Sequence, residues 1–140
     1  MEIYTSDFTG IYYNEDKEIF VITWKPKTGN SIMSDEILKF ELLRQVFFMT
    51  KYKPHFLIFD FSEFKYTFSF AVFNWMQSEI YRPFSQLFVQ KVALVQPLVE
   101  LDLFAFNQFI EDIQLCFMQV KLMDSVSSAS EWIINQTFSK

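Results

Sequence analysis

The spacing of apolar residues changes repeatedly along the chain, and these changes predict alternating strands and helices. Two short apolar runs, at residues 11–13 and 19–24, flank the polar segment NEDKE, a pattern that predicts an antiparallel β-hairpin. The run HFLIFDF at residues 55–61 is apolar at consecutive positions, as expected for a strand buried on both faces of a mainly parallel sheet. Further strands are predicted at residues 89–95 and 116–123, and the apolar-polar alternation of the last one favours an edge position.

The segment after the hairpin has the three- and four-residue spacing of an amphipathic helix. Ser34 is placed to cap this helix, which runs to about residue 51 and carries acidic side chains in its first turn, where they suit the helix dipole. The apolar residues expected to face the core share one stripe, namely Ile37, Phe40, Leu43 and Phe47. The polar residues expected mainly outside that stripe are Lys39, Glu41, Arg44 and Gln45.

A second helix is predicted after the HFLIFDF strand. Thr67 or Ser69 caps it, it extends to about Tyr81, and Pro83 closes it. Its apolar residues cover most of the circumference, so the helix requires two contact surfaces.

A third helix is predicted within residues 101–113, and a last helix opens at Asp124 or Ser125. The order of all these elements predicts an α/β fold. We expect a single domain over residues 1–140, in which an N-terminal β-hairpin is followed by β-α repeats. Its sheet is expected to be mixed and mainly parallel, with about five strands and about four helices.

The charge balance and the cysteine content exclude several classes of function. The net charge of −5 and the absence of a Lys and Arg cluster argue against a nucleic-acid partner. Cys116 is the only cysteine, which excludes an intramolecular disulfide and fits a reducing compartment. The acidic N-terminal segment is unlike a signal peptide, and no apolar run reaches about 18 residues, so we expect no membrane span and a cytoplasmic location.

Aromatic residues make up 20% of the chain, and the 19 phenylalanines are more than a small core needs. Some of them are therefore expected in a contact between subunits, and a homodimer is one arrangement that would bury them. The second helix supplies a candidate interface, formed by Phe70, Phe73, Trp75 and Tyr81. The alternative is that these side chains wedge the helix between the sheet and its neighbouring helices.

Two stretches carry a resemblance to a known family. LIFDFSEFKYTFSFAV, at residues 57–72, and SSASEWI, at residues 127–133, resemble the anti-sigma-factor antagonist (STAS) family and its SpoIIAA-like relatives, in which a buried strand ends in an Asp-like position and a loop leads into a helix. The likeness spans nearly the whole chain. It implies the α/β fold described above and a partner-binding surface near residues 64–70 and the helix that follows.

The resemblance also implies a switch serine at the start of that helix, where phosphorylation controls partner binding. Ser69 is the matching position. Phe68 stands where the family carries Asp, however, and Ala71 or a neighbour stands at the glycine position, so the phosphorylation signature is broken. The alternative role of Ser69 is that of an ordinary N-cap.

Polar residues at the carboxyl ends of the predicted strands form a second candidate site. Asp60, Ser62, Gln96 and Asp124 are expected to rim a crevice on the side of the sheet where open α/β folds bind ligands. Two acidic side chains there are able to hold a hard cation such as magnesium. The alternative is that Asp60 accepts hydrogen bonds from loop amides and Asp124 caps the last helix.

No catalytic constellation, cofactor motif or metal site is identified. His55 and Cys116 are expected at the opposite edge of the sheet, and Gly10 and Gly29 belong to no nucleotide-binding loop. The sequence therefore indicates a non-enzymatic protein-interaction or regulatory domain with an unknown protein partner. The alternative is a binding module for an apolar or lipid-like small molecule, which an internal cavity would favour and a flat exposed aromatic patch would disfavour.

Overall fold

A computed structural model of the protein describes residues 1–25, 34–64, 69–96, 103–117 and 119–138. Within these ranges the chain forms six strands, four helices of ten residues or more, and one helix of five residues. In chain order they are β1 (Glu2–Thr5), β2 (Thr9–Asn14), β3 (Ile19–Trp24), α1 (Asp35–Tyr52), β4 (Phe56–Asp60), α2 (Phe70–Glu79), α3 (Tyr81–Ser85), β5 (Lys91–Val95), α4 (Leu103–Cys116), β6 (Val120–Met123) and α5 (Val126–Phe138).

The strands form one sheet in the order β1-β2-β3-β4-β5-β6. Pairings from β1 to β3 are antiparallel and those from β3 to β6 are parallel, which confirms the predicted α/β fold with a mixed sheet. Strand β1 was not predicted because its four residues, EIYT, are only partly buried at a sheet edge and show no clear alternation. The predicted edge position of the last strand is confirmed.

Both faces of the sheet are covered, and β4 shows why its sequence is apolar throughout. Leu57 and Phe59 belong to the larger core cluster, which includes residues of α1 to α4. Phe56 and Ile58 belong to a smaller cluster on the opposite face, where Ala129 of α5 packs. Because successive strand residues point to opposite faces, a strand that is covered on both sides needs apolar residues at every position.

Three helices begin with serine caps, of which the sequence predicts Ser34 outright and the other two each as one of two alternatives. The hydroxyl oxygen of Ser34 accepts a hydrogen bond from the Ile37 amide, that of Ser69 from the Val72 amide, and that of Ser125 from the Ser128 amide. Each cap satisfies one amide that has no partner inside the helix. Thr67, the alternative cap of the second helix, lies outside the described residues.

The predicted boundaries of the second helix and of the last strand were wrong. The second helix is divided into α2 and α3, and Pro83 lies in the first turn of α3, where its missing N–H requires no partner. The strand expected from residue 116 begins at Val120 instead, because Cys116 is the last residue of α4.

The predicted inward stripe of α1 was also wrong. Phe40, Leu43 and Phe47 are 50%, 45% and 54% exposed. The residues that α1 buries are Leu38, Glu41, Leu42, Gln45 and Met49. This helix therefore turns two polar side chains inward and three large apolar side chains outward, the reverse of the usual arrangement.

Candidate functional site

Asp60, the acidic residue at the end of β4, closes a turn. Its Oδ1 accepts a hydrogen bond from the Ser62 amide at 3.0 Å, the Asx-turn geometry typical of Asp after a strand. The Phe61 amide bonds the Val95 carbonyl at 3.0 Å, which continues the β4–β5 pairing beyond Asp60. The Asp60 side chain therefore stabilises the turn that follows β4.

The other candidate crevice residues follow neighbouring strands at the same edge. Gln96 and Asp124 are exposed and come directly after β5 and β6, and the Gln96 amide bonds the Met123 carbonyl at 3.2 Å. Ser125, not Asp124, supplies the side-chain cap of α5. Among the described residues no group of three or more His, Cys, Asp or Glu side chains is arranged to hold a metal ion. The strand order brings these residues to one edge of the sheet. The hydrogen bonds described there shape a turn, extend the strand pairing and cap a helix.

Ser69 makes two contacts that define its role in the fold. Its hydroxyl oxygen caps α2 at the Val72 amide at 3.2 Å, and the hydroxyl lies 3.0 Å from Asp35 Oδ2, to which it donates. The second contact joins the N-terminus of α2 to that of α1. A phosphate on Ser69 would face the Asp35 carboxylate, a like charge that disfavours it.

Cys116 and Tyr81 lie together between α3 and α4 but are poorly suited to nucleophilic chemistry. Cys116 Sγ is 3.3 Å from the Asp112 carbonyl oxygen and 3.6 Å from that of Tyr81. Burial raises the pKa of the Cys116 thiol, and burial together with Asp112 raises the pKa of Tyr81. Both groups are therefore held in their neutral, weakly nucleophilic forms.

His55, the residue before β4, contacts the Glu18 side chain. The Nδ1 to Oε2 distance is 2.7 Å, and both side chains are more than one third exposed. The pair lies beside the β2–β3 turn, whose carbonyl at Glu18 accepts the amides of His55 and Phe56. This contact fixes the entry into β4 on the edge opposite Asp60.

Lys91 is a buried amine on the face of the sheet that α5 covers. It is 8% exposed, and its Nζ has no hydrogen-bond partner among the described residues. The ammonium lies 5.5 Å from the ring centroid of Trp132, and burial lowers the pKa of Lys91. Desolvated lysines with lowered pKa serve in Schiff-base chemistry elsewhere, but here the indole lies against the amine.

The candidate interface on the second helix is only partly at the surface. Phe70 is 81% exposed, whereas Phe73 and Trp75 are half-buried against the main core, and the Lys39 ammonium lies 5.6 Å from the Trp75 ring. Tyr81 is 6% exposed and packs inside, so it does not belong to an exposed surface. Most of this set wedges α2 and α3 among their neighbours, as the alternative interpretation expected.

The largest departure from the predicted site is the α1 outer face, the row formed by Phe40, Leu43 and Phe47. At about 100° per residue, these three side chains fall within an arc of about 60°. The buried residues of α1 fall within an arc of about 100° on the opposite side of the helix. The row therefore points away from the sheet and from the core.

Glu41 explains why α1 takes this orientation. Its carboxylate, 2% exposed, accepts hydrogen bonds from the Tyr4 hydroxyl at 3.1 Å, the Ser6 hydroxyl at 2.8 Å and the Thr9 hydroxyl at 2.7 Å. Burial, followed by the Glu41 charge, raises the pKa of Tyr4, so that hydroxyl stays a donor. These contacts join the middle of α1 to β1 and β2. Sequence reasoning missed them because their partners lie more than thirty residues away along the chain.

The surface cavities lined by described residues include the following three. One of about 360 Å³ lies between the β1–β2 loop and the first half of α1, next to Phe40, and opens broadly to solvent. A second, of about 210 Å³, separates the β2–β3 turn from α5. The third, of about 220 Å³, lies over Cys116 between α3 and α4. None of the three is lined by Asp60, Gln96, Asp124 or Lys91.

Within the described ranges, no helix combines the length and the apolar composition needed to cross a bilayer.

Comparisons of the chain with protein-family models, with curated proteins and with solved structures gave no match.

Proposed function

We propose that the protein is a non-enzymatic protein-interaction domain that resembles STAS and SpoIIAA-like proteins and makes contact through the α1 outer face. The observation that carries this proposal is the exposure of Phe40, Leu43 and Phe47 on the side of α1 that faces solvent. A helix that is apolar on two opposite sides is typical of a helix covered on both of them. The core covers one side, and a partner protein covers the other.

The polar residues offer less support for an enzyme. Asp60 closes a turn, the Cys116 thiol has a raised pKa, and Ser69 caps a helix. Nucleophilic catalysis requires an activated nucleophile, a base within hydrogen-bond reach and a third group that orients the base. Ser69 does donate to the Asp35 carboxylate, but the same hydroxyl oxygen is engaged in capping α2.

The hairpin followed by β-α repeats is compatible with the resemblance to STAS and SpoIIAA-like proteins. The resemblance implies a surface near residues 64–70 and α2, whereas the surface proposed here lies on α1. Phe70, at the start of α2, remains exposed and belongs to the implied surface, and the Ser69–Asp35 hydrogen bond connects it to the N-terminus of α1. The two surfaces are therefore neighbours.

A binding module for an apolar or lipid-like small molecule is the second candidate function. The observation that favours it is the groove of about 360 Å³ beside Phe40, a volume within the usual range for ligand sites. Its rim carries the acidic residues Asp7 and Glu36, and it is open instead of enclosing. A lipid-like molecule would leave much of its surface in water there, so the protein partner is preferred.

Site-specific photo-crosslinking tests the proposal. p-Benzoylphenylalanine placed at Phe47 of the full chain, in cells of its own host, should give a discrete protein crosslink. The same probe at Phe88, which is 86% exposed but lies outside α1, is the matched control and should give none. Equal labelling at both positions, together with an apolar molecule retained in native mass spectra of the purified protein, would overturn the proposal in favour of the small-molecule function.

A further inference from the structure

We infer that the partner of the α1 outer face is a second copy of this chain, whose α1 packs antiparallel to the first across a two-fold axis. The inference rests on the proposed function, because it names the partner of the same surface. Two-fold symmetric contacts are the commonest in homo-oligomers, and they require one patch to be complementary to itself. The positions of residues along α1 meet that requirement.

The apolar residues of the two antiparallel α1 helices are complementary. If the axis passes between Leu43 and Arg44, at the middle of the helix, Phe40 of one copy lies opposite Phe47 of the other, and Leu43 lies at the centre. Both phenylalanines are about half exposed, so each has surface left to bury. Aromatic side chains are enriched in interface cores, and aromatic pairs stabilise such contacts.

The charges match in the same register. Asp35 and Glu36 lie in the first turn of α1 and Lys51 lies in the last. The axis that pairs Phe40 with Phe47 also places Glu36 of each copy opposite Lys51 of the other, and both side chains are exposed. A parallel arrangement would bring like charges together at each end, so charge selects the antiparallel one.

A central two-fold axis would bring the two Arg44 guanidinium groups towards each other, and their like charges would repel. The Arg44 guanidinium instead lies 5.0 Å from the ring centroid of Phe40 in its own chain. At about 100° per residue, Arg44 is also about 70° from the middle of the outer face. The cation therefore lies on the flank of the contact and over an aromatic ring, which removes the conflict.

The groove beside Phe40 extends the contact. It lies along the first half of α1 and carries Asp7 and Glu36 on its rim. In the antiparallel pair, the basic end of the second α1, with Lys51 and Lys53, runs along this half. The acidic rim and the basic helix end are complementary, so the groove continues the apolar contact as a polar border.

The contact is small. An 18-residue helix is about 27 Å long, and two such helices packed side by side give an interface at the small end of the biological range. Interfaces of that size dissociate readily. We therefore expect a dimer that forms with rising protein concentration.

Sedimentation equilibrium of the full chain from about 1 µM to about 500 µM tests the inference, since this range brackets a weak dimer. Wild type should move from monomer to dimer. Phe47→Ser should weaken the dimer by at least about tenfold, whereas Phe88→Ser, which removes an equally exposed aromatic ring elsewhere, should leave it unchanged. Circular dichroism and thermal melts of each variant establish that it is folded.

A charge exchange makes the test specific for the antiparallel register. Glu36→Lys alone and Lys51→Glu alone each create two repulsive pairs per dimer and should weaken it by about tenfold. The double variant restores opposite charges and should recover most of the affinity. A monomer at about 500 µM, or a double variant no better than the singles, would overturn the self-pairing. A protein crosslink at Phe47 to a different chain would then still support the proposed function.

Discussion

Replacing Glu41 by alanine should destabilise the fold by about 3 kcal/mol, because three buried or half-buried hydroxyl donors lose their common acceptor. Thr9 is 0% exposed, so water cannot replace its partner, and its unpaired hydroxyl alone costs about 1–3 kcal/mol. Tyr4 and Ser6 are half-buried and recover part of their loss through water. Relief from burying a carboxylate offsets a further part.

Glutamine at position 41 provides a sharper variant. Its carbonyl oxygen can keep the bonds from Tyr4 and Thr9, but its NH2 group would face the Ser6 hydroxyl in place of an oxygen. The Ser6 oxygen already accepts the amides of Phe8 and Thr9, each at 3.1 Å, so it has no lone pair for a third donor. We therefore expect Glu41→Gln to lose about 1–2 kcal/mol, between wild type and the alanine variant.

Urea unfolding followed by circular dichroism and tryptophan fluorescence measures these changes, and a loss of about 3 kcal/mol should lower the melting temperature by about 10 °C. A double-mutant cycle of Glu41→Ala with Thr9→Val isolates their shared hydrogen bond and should give a coupling of at least about 1 kcal/mol. An alanine variant within about 0.5 kcal/mol of wild type, or a coupling near zero, would refute the view that Glu41 orients α1.

Three further predictions concern buried or capping groups. Gln45→Met should stabilise the fold by about 1 kcal/mol in urea unfolding, because neither amide atom of Gln45 has a hydrogen-bond partner among the described residues; a loss of stability would contradict it. Ser69→Ala should cost about 1 kcal/mol by removing the α2 cap, and a variant as stable as wild type would contradict the capping role. Lys91→Met should be more stable than wild type at pH 7, by a margin that shrinks as the pH approaches 10.5. The pKa of Lys91 in the folded protein lies below its ordinary value of 10.5. Between these two pKa values the unfolded chain binds more protons than the folded chain, so the stability of the wild type rises with pH. A margin that is independent of pH would contradict this view of Lys91.

The strand-end site was predictable in position but not in chemistry. The alternating pattern is enough to place Asp60, Gln96 and Asp124 after successive parallel strands, because the carboxyl ends of such strands meet at one edge. Whether a carboxylate at that edge is free to bind a ligand depends on the neighbouring amides. The Asp60 carboxylate accepts a hydrogen bond from the Ser62 amide, two residues along the chain. The sequence is compatible with this contact but does not predict it uniquely.

The α1 outer face shows the opposite case, in which a clear pattern pointed the wrong way. Apolar residues at three- and four-residue spacing occur on two opposite sides of α1, so periodicity identifies two stripes and does not choose between them. The choice depends on what the hairpin offers. Tyr4, Ser6 and Thr9 offer three donors, and Glu41 is the acceptor on α1 that meets them.

The alternation of strands and helices from β2 onward, the Ser34 cap and the burial of β4 on both faces could be predicted from the sequence, because they depend on side chains within a few residues of one another. The buried side of α1, the place of β1 in the sheet and the position of Cys116 at a helix end are outcomes of the folded chain. Those outcomes depend on contacts between residues far apart along the chain. Local periodicity carries no information about such contacts, and their free energy outweighs local preference wherever two arrangements have a similar pattern.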